Sequence, residues 1–525
     1  MKNSARCATT KAHANMRIVP LTQVGNTERL SHSIVESDND NGGWHNGEPS
    51  DENPSPDGAG DPTDVAVVDL FVQQHGQYVV YCRELGGWLA YDGTRWMANK
   101  GEIYRRLVLT IRGLYTVGAG IENGSQRRTV IRNALKMESA TRIHALLKLA
   151  ELALSVSPDR FDANSSLLNL ANGTYDFKRN KLRKHLAKDF ITKLIPITFG
   201  QRNICPIWTH FLERVFNGDS ALISFVQKLM AYTLAGETNQ RLVVLLIGIG
   251  QNGKSTLLDI FRLLLGLTND GGYAHKINPL ALQKGFLNLQ SFEIAAMRGA
   301  RFVYAGERTG DANLDVNCLK ELTGNEIINA RHPHGRPFSF KPQFTPWIGV
   351  NELPTLPDDD VAIWDRLKPI PWKIRFYDTK EEAIKECGDP SRVKDSLLAN
   401  KLESELPGIL TWVIDGAVAL RKEGLTTPSA VRNAANSYRT QMNPVNEFVT
   451  ECCVLSPDAY VSRAELVAAF QQWSREAGCV FPEHEFSRKI NTVVGSKPKP
   501  KRIKGSKEPP KRCWIGIGLK AEEEI

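Results

Sequence analysis

RLVVLLIGIGQNGKSTLLDIFRLLLG, residues 241–266, decides how this chain is read. Leu242 to Ile247 is an apolar run with β-branched residues, which reads as a buried strand. It empties into Gly248-Ile249-Gly250-Gln251-Asn252-Gly253-Lys254-Ser255, which fits G-x-x-x-x-G-K-[ST] at every fixed position. Leucines and Phe261 then recur at helical spacing through Leu265. The glycines let backbone N–H groups turn inward around phosphate oxygens, and the helix that follows presents its positive end to them. Lys254 is expected to reach β/γ-phosphates and the Ser255 hydroxyl, next to Thr256, to hold magnesium. The competing reading is a glycine-rich turn that binds nothing. Strand, loop and helix arriving in order argue against it, and a nucleoside triphosphate site is the expectation.

Around this stretch lie 525 residues, too many for one hydrophobic core, so roughly two to four domains are expected. Hydrophobic content of 42% and charged content of 24% are those of a globular protein. No apolar run approaches the length of a membrane span, and no uninterrupted apolar signal region opens the chain. The nine cysteines are scattered without paired C-x-x-C spacing, which suggests a reducing, cytoplasmic setting and neither a disulfide framework nor a zinc site. A net charge of +8 permits a polyanionic partner without demanding one.

Residues 1–64 read as a disordered tail: from Glu36 to Asp64 the composition is Asp, Glu, Asn, Gly, Pro and Ser, with Trp44 almost alone as an apolar residue. Val79 to Ala98 reads as short strands around Gly86-Gly87 and Asp92-Gly93, with Trp88, Tyr91 and Trp96 filling a small core. Glu102 to Leu154 reads as mostly helical and rich in Arg and Lys, either a solvated face or a nucleic-acid surface. In Phe161 to Phe199, Asn169, Asn172, Gly173 and Asp176 form N-x-x-N-G-x-x-D, followed by His185, Asp189 and Thr192. This stretch resembles the helper domain that precedes the helicase domain in phage, plasmid and poxvirus-type primase-helicases, and residues 65–205 are assigned to it.

Downstream of the phosphate loop, Phe302 to Ala305 is a second apolar run ending at Glu307. A strand-end carboxylate there can orient or deprotonate water, or hold magnesium. Ile327 to Ala330 and Pro337 to Phe344 read as a hairpin whose tip, Arg331-His332-Pro333-His334-Gly335-Arg336, suits a single-stranded phosphate backbone. A hairpin that only supports the fold, or a His332/His334 metal site, are the alternatives. PWIGVN closes a third apolar strand at Asn351, and Arg366 follows in DDDVAIWDRL.

The set Lys254, Glu307, Asn351 and Arg366 resembles the superfamily three helicases, whose ATPase is a hexameric AAA+ ring. The resemblance implies a motif A lysine at Lys254, a motif B acid at Glu307, a DNA hairpin from Lys320 to Lys341, a sensor asparagine at Asn351 and an arginine finger at Arg366. Many members end motif B with two adjacent acids, whereas Gly306 precedes Glu307 here, leaving open whether Glu307 serves the water, the magnesium or both. The ATPase is assigned residues 206–376, and a helical lid or linker 377–445.

Residues 446–525 read as three helices, a basic run with Lys499, Lys501, Arg502 and Lys504, and a final strand. This resembles a winged helix with a positive wing, the alternative being a solvated linker. The expected fold is thus multidomain α/β: an AAA+ P-loop core, an N-terminal α+β helper domain and a C-terminal winged-helix-like domain. The expected function is an ATP- and Mg2+-dependent replicative DNA helicase of phage or plasmid, working as a homo-oligomer in a bacterial host. Its expected partners are single-stranded and duplex DNA and a separate primase, with no membrane. An origin-binding initiator, or an AAA+ ATPase that remodels protein or translocates RNA, are the rival functions.

Overall fold

The chain divides into two units, Met1–Gly60 and Asp61–Ile525. The computed structural model describes residues 63–200, 204–308, 314–333, 337–357, 360–442, 444–476, 482–501 and 509–520, all in the second unit. The expected tail lies outside the described residues as far as Pro62. No helix among the described residues is long and apolar enough to cross a membrane.

The first described element is α1 (Asp64–His75), which Thr63 caps by accepting from the backbone of Ala66. A three-stranded antiparallel sheet follows, β1 (Val79–Cys82), β2 (Gly87–Tyr91) and β3 (Trp96–Ala98), with turns at the two expected positions. Trp88 and Trp96 are buried as the sequence suggests. Helices α2 (Lys100–Ala119), α3 (Gly124–Met137) and α4 (Ala140–Ala153) share a core with α1 through Phe71, Ile103, Leu107 and Leu146.

A second small antiparallel sheet joins β4 (Leu167–Leu170), β5 (Gly173–Asp176) and β6 (Lys181–Arg183). Its N-x-x-N-G-x-x-D residues are structural. The fully buried Asn169 amide donates to Thr94 O at 2.9 Å and Lys193 O at 3.0 Å, while its oxygen accepts from Thr174 Oγ1 at 3.0 Å and His185 Nδ1 at 2.8 Å. Such a satisfied buried amide fixes one arrangement of four segments. Asn172 exchanges two bonds with the Phe199 backbone, and Gly173 is required because a Cβ there would stand 2.4 Å from Arg183 O.

The next block begins with α5 (Pro206–Val215) and α6 (Ser220–Ala235) and then alternates strand and helix: β7 (Val243–Ile247), α7 (Lys254–Leu265), β8 (Ala274–Lys276), α8 (Leu287–Ala296), β9 (Phe302–Arg308) and α9 (Val316–Leu322). A hairpin, β10 (Ile328–Arg331) and β11 (Pro337–Phe340), leads to β12 (Thr345–Val350), α10 (Val361–Arg366) and β13 (Leu367–Pro371). The five strands form one parallel sheet in the order β13-β7-β12-β9-β8, consistent with a P-loop core. Both faces are covered, which is why β7 and β12 read as continuous apolar runs. Val244, Leu246 and Trp347 enter one core with α6 and α7; Val243, Leu245 and Ile348 enter the other with Leu319 and Ile363.

Helices α11 (Lys380–Cys387), α12 (Leu398–Ser404), α13 (Leu406–Glu423) and α14 (Ser429–Gln441) follow, with α13 packed on α6. The last block is α15 (Pro444–Cys452), β14 (Cys453–Ser462), α16 (Arg463–Glu476), α17 (Glu483–Val494), β15 (Lys499–Lys501) and β16 (Lys511–Leu519), with sheet order β14-β16-β15. The sequence reading missed β14. Its pairing with β16 is irregular between Leu455 and Tyr460, where Pro457 and Asp458 interrupt the strand pattern.

Candidate nucleotide and nucleic-acid site

The loop between β7 and α7 is shaped by close contacts. Gly253 has φ +91°, and a Cβ there would stand 3.0 Å from Phe211 and Val215. At Gly248 a Cβ would meet Trp372 O at 2.4 Å, so both positions exclude a side chain. At Gly250 the same construction meets nothing within 4 Å. Asn252 holds the turn, its amide donating to Ile249 O at 2.8 Å and its oxygen accepting from Lys254 N at 3.3 Å. Phe376 N donates to Gln251 O at 2.8 Å, and the Arg214 guanidinium lies 4.8 Å from the Phe376 ring centre.

Lys254 is fully buried. Its ammonium donates to Gly248 O and, at 2.9 Å, to Asn351 Oδ1. These two sequence-predicted residues therefore meet, because β12 is inserted between β7 and β9 and ends beside the loop. Glu307 is the penultimate residue of β9, at the same carboxyl edge of the sheet; its side chain lies outside the described residues. Open parallel sheets bind ligands at that edge. The donor set suits a nucleoside triphosphate with its magnesium: Lys254 and the loop backbone for the phosphates, and Ser255, exposed in the first turn of α7, for the metal. Thr256 follows it, half-buried, and Ile249 is exposed at the loop tip.

Arg366 is elsewhere. It ends α10, and Leu367 pairs with Val243, the first residue of β7, while the phosphate loop follows its last, Ile247. Roughly 13 Å of strand separates the two ends. The Arg366 guanidinium donates to Thr323 Oγ1 at 3.2 Å and to Ala362 O at 2.5 Å.

The hairpin forms where expected, with β10 shifted by one residue and β11 ending at Phe340 instead of Phe344. Arg331 and His332 are exposed, the His332 ring stacks on Phe338 at 5.2 Å, and Arg298 lies 5.6 Å from the same ring. His334 and Arg336 lie outside the described residues. Lys341 is exposed and helps line a cleft of about 840 Å³ with Phe161, Asp162, Arg298 and Phe338. Lys320 is not on the hairpin but on α9, paired with Asp360 at 2.5 Å. In the last block Lys499 is exposed and Lys501 lies 3.6 Å from the centre of the Tyr460 ring; Arg502 and Lys504 lie outside the described residues.

Sequence reading missed the supports that come from far along the chain. Arg301, fully buried, donates to Leu234 O at 2.5 Å and to Leu167 O, and lies 4.9 Å from the Tyr273 ring centre. It thereby ties β4 to α6 and the parallel sheet. Burial pushes its pKa down from the usual arginine value, opposed by Tyr273 and Asp162. Nothing local marks Arg301, Thr323, Trp372 or Arg214, since each partner is remote in sequence.

Residues 68–217 match the family described as D5 N terminal like, and residues 246–366 match a family described as of unknown function (DUF5906). A protein of Acanthamoeba polyphaga mimivirus named "Putative helicase L207/L206" is 28% identical over 302 residues, covering 56% of this chain and 31% of that protein. One of Invertebrate iridescent virus 3, named "Putative helicase 121R", is 23% identical over 372 residues, covering 66% of this chain and 39% of that protein. The chain thus carries a D5 N terminal like segment and is similar to viral proteins named as putative helicases. The chain spans 31% and 39% of the length of those two viral relatives. A solved structure, the A form apo structure of the NrS-1 C terminal region, aligns over 87% of this chain and all of its own, at 11% identity and a TM-score of 0.46.

Proposed function

We propose that this chain is an ATP-dependent DNA helicase motor that works as an AAA+ ring, hexameric by family resemblance, on single-stranded DNA. The observation that carries the reading is the meeting of Lys254 and Asn351 beside the phosphate loop, with the strand of Glu307 next to them. Lys254 and the loop backbone would hold the triphosphate, and Asn351 would orient the γ-phosphate or the attacking water. Glu307 would activate that water or join Ser255 at magnesium, whose part is to neutralise the phosphate charge. Arg366, at the far end of the sheet from its own loop, suits a neighbouring subunit's site; this is the geometry of a finger supplied in trans.

Two basic elements support DNA as the polymer. The β10–β11 hairpin carries exposed Arg331 and His332 between the strands of Glu307 and Asn351. The last block has the order helix, strand, helix, helix, strand, strand, which supports the winged-helix reading. There Lys501 directly opposes Lys511 across the β15–β16 pair. Such a pair of cations on neighbouring strands suits a polyanion. The work would be done in the cytoplasm of the cell where the replicon is copied, alongside a separate primase. The deciding experiment measures ATP turnover without polymer, with single-stranded DNA and with RNA, followed by strand displacement on a forked duplex. Turnover raised by DNA together with displacement is the expected result; turnover indifferent to DNA, or displacement absent, would favour a remodelling ATPase or an initiator.

A further inference from the structure

Helix α10 has six residues, too few to hold its own geometry, so what grips it decides where Arg366 stands. Three grips are visible. Ile363 is fully buried, and the Trp364 indole donates to Pro357 O at 2.9 Å. At the start of α10, Asp360 accepts from the backbone of Ile363, and Lys320 binds its other carboxylate oxygen at 2.5 Å. At its end, Arg366 Nε donates to Thr323 Oγ1 at 3.2 Å, and that hydroxyl in turn donates to Leu319 O at 2.7 Å. The grips on the two ends of α10 both come from one segment, α9 and the residue after it. The Lys320 bond, first among the causes, also holds the Asp360 carboxyl below its ordinary pKa, against a smaller opposing effect of burial.

That same segment runs directly into β10. Leu319, Leu322, Ile328, Ala330 and Ile363 share one core, so α9, the hairpin root and α10 are packed as a unit. Close-packed interiors transmit small displacements instead of absorbing them. We propose that α9 positions Arg366, with Lys320 and Thr323 as positioning residues, so that nucleic acid engaged by the β10–β11 hairpin resets the arginine through this helix. Lys320, which the family resemblance places in the DNA-binding segment, is here a mechanical link and not a phosphate contact. The inference rests on the reading that Arg366 completes a neighbour's nucleotide site and that the hairpin takes single-stranded DNA.

The test compares Thr323→Val, Thr323→Ser, Lys320→Met and Arg366→Ala in the full chain with ATP, Mg2+ and oligo(dT). Measured are kcat at zero and saturating DNA, KM for ATP, and oligo(dT) affinity. Thr323→Val keeps the volume of the buried side chain and removes the acceptor. It is expected to lower DNA-stimulated kcat by about tenfold, the loss of one oriented bond to the guanidinium. KM for ATP and DNA affinity should stay within about twofold, because neither ligand touches Thr323. Thr323→Ser restores the stimulation. Lys320→Met acts in the same direction, and the double change Lys320→Met/Thr323→Val falls short of the product of the two, because both act through one helix. Wild-type stimulation in Thr323→Val while Arg366→Ala is inactive would overturn the inference and leave the role of Arg366 standing. Wild-type turnover in Arg366→Ala would remove the underlying reading instead. Weakened oligo(dT) affinity in Lys320→Met, with full turnover at saturating DNA, would return Lys320 to the DNA surface. Should Lys320→Met not fold, the Thr323 pair decides alone.

Discussion

The ammonium of Lys254 donates to Asn351 Oδ1 at 2.9 Å, joining the first turn of α7 to the residue that follows β12. On the proposed function, a sensor and a phosphate lysine in contact would answer together to the nucleotide. Asn351→Ala is therefore expected to leave KM for ATP within about threefold and to lower kcat by about a hundredfold, as for loss of one preorganised polar group at a developing charge. Steady-state turnover with a separate nucleotide-binding titration checks this. Equal loss of binding would make Asn351 a support for the loop rather than a participant in hydrolysis.

Arg301 predicts a stability effect and not a catalytic one. Arg301→Met fills similar space but leaves Leu234 O and Leu167 O without their donors, at a cost of about 3 kcal/mol. Chemical denaturation should show the midpoint falling. An unchanged midpoint would mean that the ties between β4, α6 and the sheet are redundant.

For Arg366, the test is complementation. Arg366→Ala subunits should bind ATP yet not hydrolyse it, since a finger in trans acts at transfer and contributes about 10³-fold or more. Mixed with Lys254→Ala subunits they should regain turnover, because each mixed interface contains one intact site. No recovery in rings shown by mass to be mixed would place the arginine's action within its own subunit.

Much of this was legible in sequence, and the reason is locality. The phosphate loop, the strands of Glu307 and Asn351 and the hairpin each fit within a few residues, so periodicity and motif found them. Tertiary supports were not, because their meaning lies in contacts across the fold: Arg301 is one arginine among many until Leu167 and Leu234 close over it. A motif span also cannot tell a lysine facing the polymer from one paired with Asp360, as Lys320 is. Strand β14 escaped because Pro457 and Asp458 look like a turn and are instead an irregularity within a strand.

The basic strands of the last block should govern duplex binding. Replacing Lys499 and Lys501 with Ala should reduce the slope of log affinity against log salt by about two units, roughly one for each phosphate no longer neutralised. Unwinding from a preloaded fork should persist. A fall in unwinding with an unchanged salt slope would assign these lysines to the motor instead.

The most direct test of the central claim is ATP turnover by wild type and Lys254→Ala with and without single-stranded DNA. The buried lysine has the only ammonium in the phosphate-loop stretch, residues 248–255. The account predicts turnover in the wild type that DNA raises several-fold, and none above background in the mutant with or without DNA. Wild-type turnover in a correctly folded Lys254→Ala protein would contradict it.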